Sequence, residues 1–576
     1  MLRKTICLVI FMLLCISAAL PAVAAENYKA DTVTLKLNDT NALVDGAAHK
    51  MGAVPRTIDG ITMIPLRFIA EIFGAQINWD TGTNEITIKQ EDNTICLEPG
   101  SDKAVINGKS RAITGKTLVE NDTTLVPMRF LAESMNYKVD FVPATKEIKI
   151  KQLPPPNKPP VASFNFSEDT VAQGETVIYE DNSYDPDGDQ IVEKKWTGNE
   201  RAFFAAGEYE VTLAVKDSRG AWSTPYTKVI KVTDEVKMDR LAYNFHHPIA
   251  GEPLGNIDIS VLDMKQIEPA VSMTQDHVMI SNSPEVVRSD GILYSDTLSG
   301  ENRLYYHHIN GSNERKKVYL LAVNQGLEPV KLTLKRWGAA GPGDPMGVGR
   351  AAAYRLLAFD PRNVRFWELQ PGEIAVLNEE VNNICKPGEA IHGMFNVESN
   401  DDLLYAVVAV GGENPLTFTD LDHLPAQVGN DNHIRGTFKM ANRDISVQIE
   451  GTEPERLVIA DGEDDGFLGG TDNGLFSKNS GNYGVVYHIS VKTKQPVGVV
   501  FSPRGGVFAG AAKWDGKAFN LPNKGALRPQ TEFALIGVIE PGKAKVLEFI
   551  PPAGSYLPVN LIFIPIEPIE DNNSEK

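Results

Sequence analysis

One stretch of twelve residues occurs twice in this chain, and it constrains the fold more than any other feature. Met63–Gly74 reads Met-Ile-Pro-Leu-Arg-Phe-Ile-Ala-Glu-Ile-Phe-Gly, and Leu125–Asn136 repeats the pattern 62 positions later. A repeat at one fixed offset indicates a duplicated supersecondary unit. Each copy is predicted to be a short helix, because Pro65 suits a first helical position and apolar residues follow at helical spacing. Gly74 and Asn136 stand where a left-handed residue ends a helix.

The segments around both predicted helices alternate apolar and polar residues, as half-buried antiparallel strands do. Val33–Leu37, Glu85–Lys89 and Glu147–Lys151 are examples. Residues 31–151 are therefore predicted to be one α+β unit of two 62-residue repeats, with twisted sheets packed on two short helices. These doubled units resemble the copper amine oxidase N-terminal domain, a stalk module of bacterial secreted proteins. The resemblance implies an extracellular module, since the copper and quinone chemistry of the oxidases belongs to a separate large domain.

The amino-terminal residues predict export. Residues 1–25 begin with the basic Met1–Lys4, continue with an apolar run and end with small residues, as secretory signal peptides do. Cleavage is predicted after Ala24 or Ala25. An uncleaved anchor is the alternative, although the apolar run is shorter than the ~20 residues of a spanning helix. The polar tail of residues 571–576 offers no apolar anchor. The expected localisation is secreted or extracellular, with association to the cell wall as the narrower expectation.

Length and charge limit the classes of protein to which this chain can belong. A chain of 576 residues exceeds the size at which one hydrophobic core stops growing, so several domains are expected. The formal net charge of −19 repels nucleic acid phosphates and anionic lipid headgroups, which argues against both as partners. Beyond the signal peptide the cysteines are Cys96 and Cys385, so ordinary cores rather than a disulfide framework are expected to stabilise the fold.

A proline-rich linker, residues 152–160, separates the first domain from the second, because prolines at this density favour an extended spacer. Residues 161–234 contain strands and turns only, which predicts a small β-sandwich. The Asp-Pro-Asp-Gly-Asp run, Trp196 and the strand Gly207–Asp217 closely resemble the polycystic kidney disease (PKD) domain. That resemblance implies an immunoglobulin-like fold that acts as a spacer or adhesion module. Trp196 is followed by Thr-Gly-Asn-Glu where the family has Asp-Phe-Gly-Asp-Gly, which implies a shortened central strand and turn.

Three aspartates in this second domain are the candidate metal ligands. Asp185, Asp187 and Asp189 stand at alternate positions of one predicted loop. Several carboxylate oxygens converging from one loop are what calcium requires. The same Asp-Pro-Asp-Gly sequence also makes a tight turn through hydrogen bonds from side chain to backbone, without an ion. Calcium is the only cofactor that the sequence suggests, and a plain turn is the alternative.

Residues 235–576 are predicted to be mainly β, with strand-like runs such as Leu403–Val410 and Phe533–Val538. Two β-sandwich-like lobes are expected, residues 235–396 and 397–570. One helix is expected after Asp344-Pro345, which supply an N-cap and a first helical residue. The predicted fold class is therefore multidomain and mainly β, with an α+β stalk, an immunoglobulin-like sandwich and β-sandwich-like lobes.

The search for catalytic motifs gives no catalytic residue. The nearest approach to the quinone motif of copper amine oxidases, Asn479–Gly484, lacks the threonine and the acid, so amine oxidase activity is not expected. The pairs His246-His247 and His307-His308 are adjacent, which in a strand sends the rings to opposite faces, so neither pair closes on one metal. They are interpreted as core or strand-edge histidines. The acidic residues 461–472 predict either a solvated loop or the paired carboxylates of a glycan hydrolase.

These features favour a non-enzymatic binding or structural protein of a bacterial cell envelope. In this interpretation the stalk and PKD-like modules display a C-terminal β-rich binding region. The expected partner is a cell-wall polymer, another carbohydrate or a surface protein, and no membrane span is expected after signal cleavage. The alternative is an extracellular hydrolase that acts on polysaccharide, with its active site in residues 235–576.

Overall fold

The computed structural model describes residues 29–567, except residues 256, 258, 382–383, 412–420, 422, 430–432, 463–465 and 470–477. The predicted signal peptide, residues 1–25, and the tail, residues 571–576, lie outside the described residues. The chain divides into two compact units, and the division runs through the second predicted domain. The first unit is Met1–Ser163, Ser183–Lys195 and Ala214–Pro225, and the second is Phe164–Asn182, Trp196–Leu213 and Tyr226–Lys576. Over the described ranges, no helix combines the length and the apolar character that crossing a membrane requires.

The predicted stalk has two helices, α1 (Leu66–Ile72) and α2 (Met128–Ser134), each directly preceded by a strand. Its strands are β1 (Thr32–Lys36), β2 (Asn41–Val44), β3 (Ala47–Lys50), β4 (Arg56–Ile58), β5 (Ile61–Pro65), β6 (Gln76–Asp80), β7 (Glu85–Gln90), β8 (Asn93–Leu97), β9 (Lys103–Ile106), β10 (Lys109–Ala112), β11 (Leu118–Glu120), β12 (Thr123–Pro127), β13 (Tyr137–Val142) and β14 (Glu147–Gln152). The predicted α+β character of residues 31–151 is confirmed.

The ends of the two helices confirm one prediction and correct another. Gly74 and Asn136 have left-handed backbone angles, with φ of 72° and 65°, one residue beyond each C-cap, as predicted. Pro65 and Pro127 are not first helical residues, because each is the N-cap and the last residue of the preceding strand. The proline ring therefore fixes the turn from strand into helix.

The two copies of the repeat meet symmetrically in one sheet. Its strand order is β11-β12-β5-β4, and in the antiparallel β5–β12 pair Ile64 faces Val126. Pro65 faces Leu125, and Pro127 faces Met63, so the register is the same when the two copies are exchanged. Two five-stranded sheets, β13-β14-β1-β2-β3 and β10-β9-β8-β7-β6, complete the domain. The helices bury the same face in both copies, at Leu66, Ile69, Ala70, Met128, Leu131 and Ala132.

Residues 161–236 form six strands in two small sheets. They are β15 (Phe164–Phe166), β16 (Thr170–Gln173), β17 (Tyr179–Asp181), β18 (Ile191–Thr197), β19 (Gly207–Asp217) and β20 (Tyr226–Val236). Strand β15 pairs with β17, and the other four lie in the order β16-β20-β19-β18. The Trp196 ring packs edge-on against Phe164, with ring centroids 4.9 Å apart. This all-strand segment agrees with the predicted fold class.

The remaining elements belong to the C-terminal region. Its helices are α3 (Arg240–His246) and α4 (Pro345–Leu357), with 3-10 turns at Val261–Asp263 and Pro361–Asn363. Its strands are β21 (Pro253–Gly255), β22 (Lys265–Gln266), β23 (Ala270–Met273), β24 (His277–Ser281), β25 (Val286–Val287), β26 (Gly291–Asn310), β27 (Lys316–Val323), β28 (Val330–Gly343), β29 (Arg365–Leu369), β30 (Ile374–Val376), β31 (Ile384–Cys385), β32 (Ala390–Gly411), β33 (Arg435–Lys439), β34 (Asn442–Ile449), β35 (Glu455–Ile459), β36 (Phe467–Gly469), β37 (Val486–Thr493), β38 (Val497–Pro503), β39 (Gly510–Trp514), β40 (Lys517–Leu521), β41 (Phe533–Ile539), β42 (Ala544–Phe549) and β43 (Val559–Pro565). The predicted helix is confirmed at α4, where the Asp344 carboxylate accepts a hydrogen bond from the Gly347 N–H.

Strand pairing does not follow the predicted division at residue 396. That residue lies inside β32, which pairs with β26 on both sides of it, from Ala390 to Ala409. One eleven-stranded sheet built around β26 and β32 also includes β24, β33 and β36. Two six-stranded sheets, β21-β41-β38-β43-β35-β22 and β23-β34-β37-β42-β39-β40, enclose a separate core of residues such as Phe501, Phe549 and Phe563. The second assembly therefore combines residues 253–273 with residues after 441.

Candidate functional site

The three predicted calcium ligands converge in the structure. One carboxylate oxygen from each of Asp185, Asp187 and Asp189 lies within 4.8 Å of the others. Asp185 also makes the turn that was the alternative interpretation, because its Oδ1 accepts the backbone N–H groups of Asp187 and Asp189, at 2.8 and 3.1 Å. The turn and the convergence therefore occur together, and the turn alone explains the sequence pattern.

Cationic side chains of the protein already approach these carboxylates. Arg219 donates from Nη2 to Asp187 Oδ2 at 3.0 Å and from Nε to Asp189 Oδ2 at 2.7 Å. The backbone N–H of Lys158 donates to Asp187 Oδ2 at 2.7 Å, and this bond is the main reason that the pKa of Asp187 is below its ordinary value. Calcium binding thus remains a prediction, and it requires Arg219 to leave the two carboxylates.

We expect added calcium to leave the melting temperature of the protein unchanged, and to raise that of an Arg219→Ala variant. Removal of the guanidinium leaves two carboxylates to bind the ion, and a ligand at 100 times its Kd adds about 2.7 kcal/mol of stability. Scanning calorimetry with and without calcium measures both effects. Arg362→Ala, at an exposed arginine, is the control. A calcium-dependent rise in the unaltered protein would show instead that Arg219 does not compete with the ion.

The two histidine pairs have different surroundings. His246 ends helix α3 and His247 caps it, so the strand assumed for this pair is wrong. His307 and His308 lie on β26 and are both buried, as predicted for core histidines. The His308 ring holds the segment that follows β24, because Nδ1–H donates to Pro284 O at 2.9 Å while Nε2 lies 3.0 Å from Ser281 Oγ.

That segment borders a cavity of about 260 Å³ in the C-terminal region, which is the candidate functional site. Asn282 is fixed by its backbone N–H, which donates to Ile434 O at 3.0 Å. The Asn479 side chain fixes Tyr483 by two hydrogen bonds, at 2.9 and 3.0 Å. The cavity is lined by Asn282, Glu285, His433, Ile434, Ser480, Tyr483, Ala553, Gly554, Ser555 and Tyr556.

Glu285 lies between two imidazoles at this site. Its Oε2 is 3.2 Å from His433 Nε2, and its Oε1 is 3.8 Å from His307 Nε2, which is too long for a hydrogen bond. Burial holds the pKa of His307 well below its ordinary value, and neighbouring His392 adds to this effect. His307 is therefore neutral at neutral pH, and neither of its ring nitrogens has a hydrogen-bond partner in the described part of the chain.

A second buried polar atom lacks a partner at the wall of the cavity. Asn282 is 7% exposed, and its Oδ1 accepts no hydrogen bond from any residue that the structure describes. Leaving a buried acceptor unsatisfied costs about 1–3 kcal/mol, so such atoms are rare unless a ligand or water completes them. The Asn282 side chain therefore lies at the cavity wall with a buried acceptor that the described residues leave unsatisfied.

Sequence reasoning missed most of this site, because its residues come from four separate segments with no shared motif. Asn282, Glu285, His433 and Tyr556 carried no signal of their own. Two of the lining residues, Ser480 and Tyr483, belong to the stretch 479–484 that was considered only for a quinone motif. The acidic residues 461–472 are not at the cavity as far as the structure describes them. Asp461 lines another cavity, of about 60 Å³, and residues 463–465 and 472 lie outside the described residues.

Comparison with known families assigns the first domain. Residues 20–88 and 78–150 match the family described as copper amine oxidase N-terminal domain, in agreement with the two predicted repeats. The match spans residues 20–150 of 576, so it identifies the stalk and leaves the remainder of the chain unassigned. No curated protein sequence matches the chain.

Three solved structures show weak similarity. A carbohydrate-binding module of the β-sandwich superfamily is 14% identical, covers 44% of this chain and 100% of its own, and has a TM-score of 0.13. Chitinase ChiA74 from Bacillus thuringiensis is 12% identical over 54% of this chain and 49% of its own, with a TM-score of 0.11. A Paenibacillus xanthan lyase is 8% identical over 93% and 56%, with a TM-score of 0.10. Scores this low do not support a shared fold or function.

Proposed function

We propose that this chain is an exported, non-enzymatic binding protein of a bacterial cell surface, which holds part of a carbohydrate in the cavity beside Glu285. The proposal rests on one observation, a cavity whose wall carries the polar side chains of Asn282, Glu285, Ser480 and Tyr556. The stalk and the PKD-like domain would act as extracellular spacers that display this C-terminal region. A cell-wall polymer is the expected source of the carbohydrate.

The chemistry of the cavity wall favours a ligand rich in hydroxyl groups. Asn282 and Glu285 supply acceptors, while Ser480 and the Tyr556 hydroxyl can donate or accept, so both kinds of hydrogen bond are offered. Lysine and arginine do not occur among the lining residues that the structure describes, so an anionic ligand gains little there. Tyr556 is 60% exposed and presents a ring against which a sugar can pack. A volume of about 260 Å³ is below the ~300–1,000 Å³ of pockets for drug-sized ligands, which suits one sugar ring.

The same wall argues for binding rather than hydrolysis. Glycosidases place two carboxyl groups on opposite sides of the scissile bond. Among the described residues that line the cavity, Glu285 is the one carboxylate, and its near neighbours are imidazoles. A polysaccharide-acting hydrolase is the second candidate function, and the Glu285–His433 contact favours it, since such a pair can transfer protons.

We expect Asn282→Leu to weaken binding of the carbohydrate by about 10-fold, because the leucine removes a polar side chain from the cavity wall. Loss of one hydrogen bond to a buried group corresponds to roughly 1–3 kcal/mol. Calorimetric titration of the full chain with cello-, xylo- and chito-oligosaccharides measures the effect. Asn313→Leu, at an exposed asparagine, is the control and should bind as the unaltered protein does.

The same oligosaccharides separate the two candidate functions. A binding protein leaves them intact, whereas a hydrolase releases new reducing ends that chromatography detects. Release that disappears in a Glu285→Gln variant, with binding retained, would overturn the non-enzymatic proposal and favour the hydrolase. Equal affinities of the unaltered protein and Asn282→Leu would contradict the assignment of the cavity as the binding site.

A further inference from the structure

The stalk carries a groove of about 440 Å³ that its role as a spacer does not require. Helix α1, strand β6 and the turn before β12 form its walls, all within the first unit. Trp79 is 43% exposed at this groove, and Phe68 lies partly buried beside it. Charged groups of both signs surround the rings, with lysine and arginine at Lys50 and Arg67 and carboxylates at Glu71 and Asp122.

The duplicated sequence places an equivalent ring on the second copy. Phe141 follows Trp79 by 62 positions and is 44% exposed, almost the same fraction. Helix α2 repeats the flanking residues of α1 as Arg129, Phe130 and Glu133. Because the β5–β12 register is unchanged when the copies are exchanged, the two aromatic faces are related by an approximate rotation about the Ile64–Val126 pair.

These rings lie beyond the part of each strand that the core needs. Trp79 lies two residues after Ile77, and Phe141 lies two residues after Val139, so each ring is on the same strand face as the earlier residue. Ile77 and Val139 both pack in the stalk core. A half-exposed tryptophan and a half-exposed phenylalanine leave more apolar surface in water than smaller residues would. This exposure is unfavourable, because burial of apolar surface contributes roughly 25 cal/mol per Å². Retention of a ring in both copies points to a surface that is covered by a ligand.

We propose that the two aromatic faces of the stalk bind one uncharged polysaccharide chain, each face packing on a sugar unit. Flat apolar rings match the C–H faces of sugars, and the charged groups beside them donate and accept hydrogen bonds to hydroxyls. The two cations and two carboxylates around Trp79 cancel, so neither a polyanion nor a polycation is favoured. A ligand with a repeating unit can meet two equivalent faces, as a single small molecule cannot.

Two faces on one polymer make retention depend on both rings. Once one sugar is bound, the second face meets the same chain at high effective concentration, which raises overall affinity by 10²–10⁴ over a single site. Loss of one ring therefore leaves weak binding, and loss of both removes it. The site is separate from the cavity beside Glu285, so this proposal does not rest on the proposed function of the C-terminal region.

Depletion of the full-length mature protein from solution by cellulose and by chitin tests the proposal. We expect Trp79→Ala and Phe141→Ala each to weaken retention at least 10-fold, the double variant to lose it, and Trp79→Tyr to retain it. The same stalk variants made in an Asn282→Leu background should show the same fold losses of retention, which separates the stalk from the C-terminal cavity. Melting temperatures of all variants show that the stalk remains folded.

The repeat also supplies a matched control. Leu43 and Val105 are 62 positions apart, are 48% and 38% exposed, and lie on the strand faces opposite to Phe141 and Trp79. The double variant Leu43→Ala/Val105→Ala removes the same kind of exposed apolar surface and should bind normally. Equal loss in this control, unchanged retention of the Trp79→Ala/Phe141→Ala variant, or retention of the unaltered protein only on charged pectate would each overturn the proposal.

Discussion

Replacement of Arg303 by methionine is expected to lower the free energy of unfolding of the C-terminal region by about 3 kcal/mol. Arg303 lies on β26 and is 3% exposed. Its guanidinium donates to Asn396 Oδ1 at 2.9 Å, to Gly484 O at 2.8 Å, to Asn442 Oδ1 at 2.7 Å and to Ala441 O. Asn396 belongs to the large sheet, whereas the other acceptors lie in or beside the facing six-stranded assembly. One side chain therefore joins the two β assemblies.

Two opposing effects decide the size of this loss. Burial lowers the pKa of Arg303 to about 9, so the group remains charged at neutral pH and bears a desolvation cost that methionine would remove. Against this, methionine leaves several buried acceptors unsatisfied, at about 1–3 kcal/mol each. The summed cost of the unsatisfied acceptors exceeds the desolvation cost of the one guanidinium. Arg303 has no hydrogen-bonded carboxylate among its described acceptors, so the change leaves no buried negative charge without a partner. The net result is a loss, smaller than the sum of the broken hydrogen bonds.

Urea denaturation followed by tryptophan fluorescence measures the Arg303→Met effect. Arg362→Met is the matched control, because the Arg362 side chain is 89% exposed and its ion pair with Asp360 is of the surface type, worth 0–1 kcal/mol. The control should unfold within about 1 kcal/mol of the unaltered protein. Equal midpoints for Arg303→Met and the unaltered protein would show that relief of desolvation balances the lost hydrogen bonds.

Local features of the fold were predictable because each depends on neighbouring residues. The doubled helices, their left-handed ends at Gly74 and Asn136, and the cap at Asp344 follow from conformational preferences within one turn. The family match to residues 20–88 and 78–150 agrees with the repeat. The position of Pro65 was misjudged by one residue, since a proline suits the end of a strand as well as the start of a helix.

The C-terminal region was less predictable, because its architecture depends on pairing between distant strands. Strand β26 begins at Gly291 and passes through Gly300, which has a φ of 75° at an irregularity in the pairing with β32. A glycine in such a sequence is typical of a turn, whereas here it bends a continuous strand. For the same reason the sequence did not indicate that strand β32 runs through residue 396, where a lobe boundary was predicted.

The candidate site could not be predicted from the sequence, for a related physical reason. Glu285 and His433 are 148 positions apart (433 − 285) and meet only because β24 pairs with β33. Charged and polar residues at such positions resemble ordinary surface residues until the pairing is known. The His307-His308 pair was the one available signal, and it identified burial correctly without indicating that Glu285, beside His307, lines a cavity.

Buried neutral histidines lead to the second large prediction, a loss of stability between pH 6.5 and pH 4. His392 is fully buried, and burial lowers its pKa to about 4, although the hydrogen bond from Nδ1 to Tyr306 O opposes that shift. The unfolded chain has an ordinary histidine pKa of about 6.5 and therefore binds more protons than the folded chain in this range. Stability is fully present above pH 6.5 and falls as the pH drops toward 4. His392 alone accounts for about 3 kcal/mol, since each pKa unit corresponds to 1.36 kcal/mol.

His307 adds to the same loss, because burial holds its pKa well below the ordinary value, and Glu285 at 3.8 Å does not offset the burial. Unfolding free energies from urea titrations at pH 7, 6, 5 and 4 measure the slope. His392→Gln keeps a polar side chain that does not titrate, so its slope should be smaller by about 3 kcal/mol over the range, whatever its stability at pH 7. The exposed His49 gives the control variant His49→Gln, which should retain the full slope. Carboxylates held at low pKa, such as Asp360 at about 2, lose their contribution to stability only below pH 4, outside this window. The pH slope measured here therefore comes from the histidines. A slope unchanged in His392→Gln would mean that His392 is protonated in the folded protein.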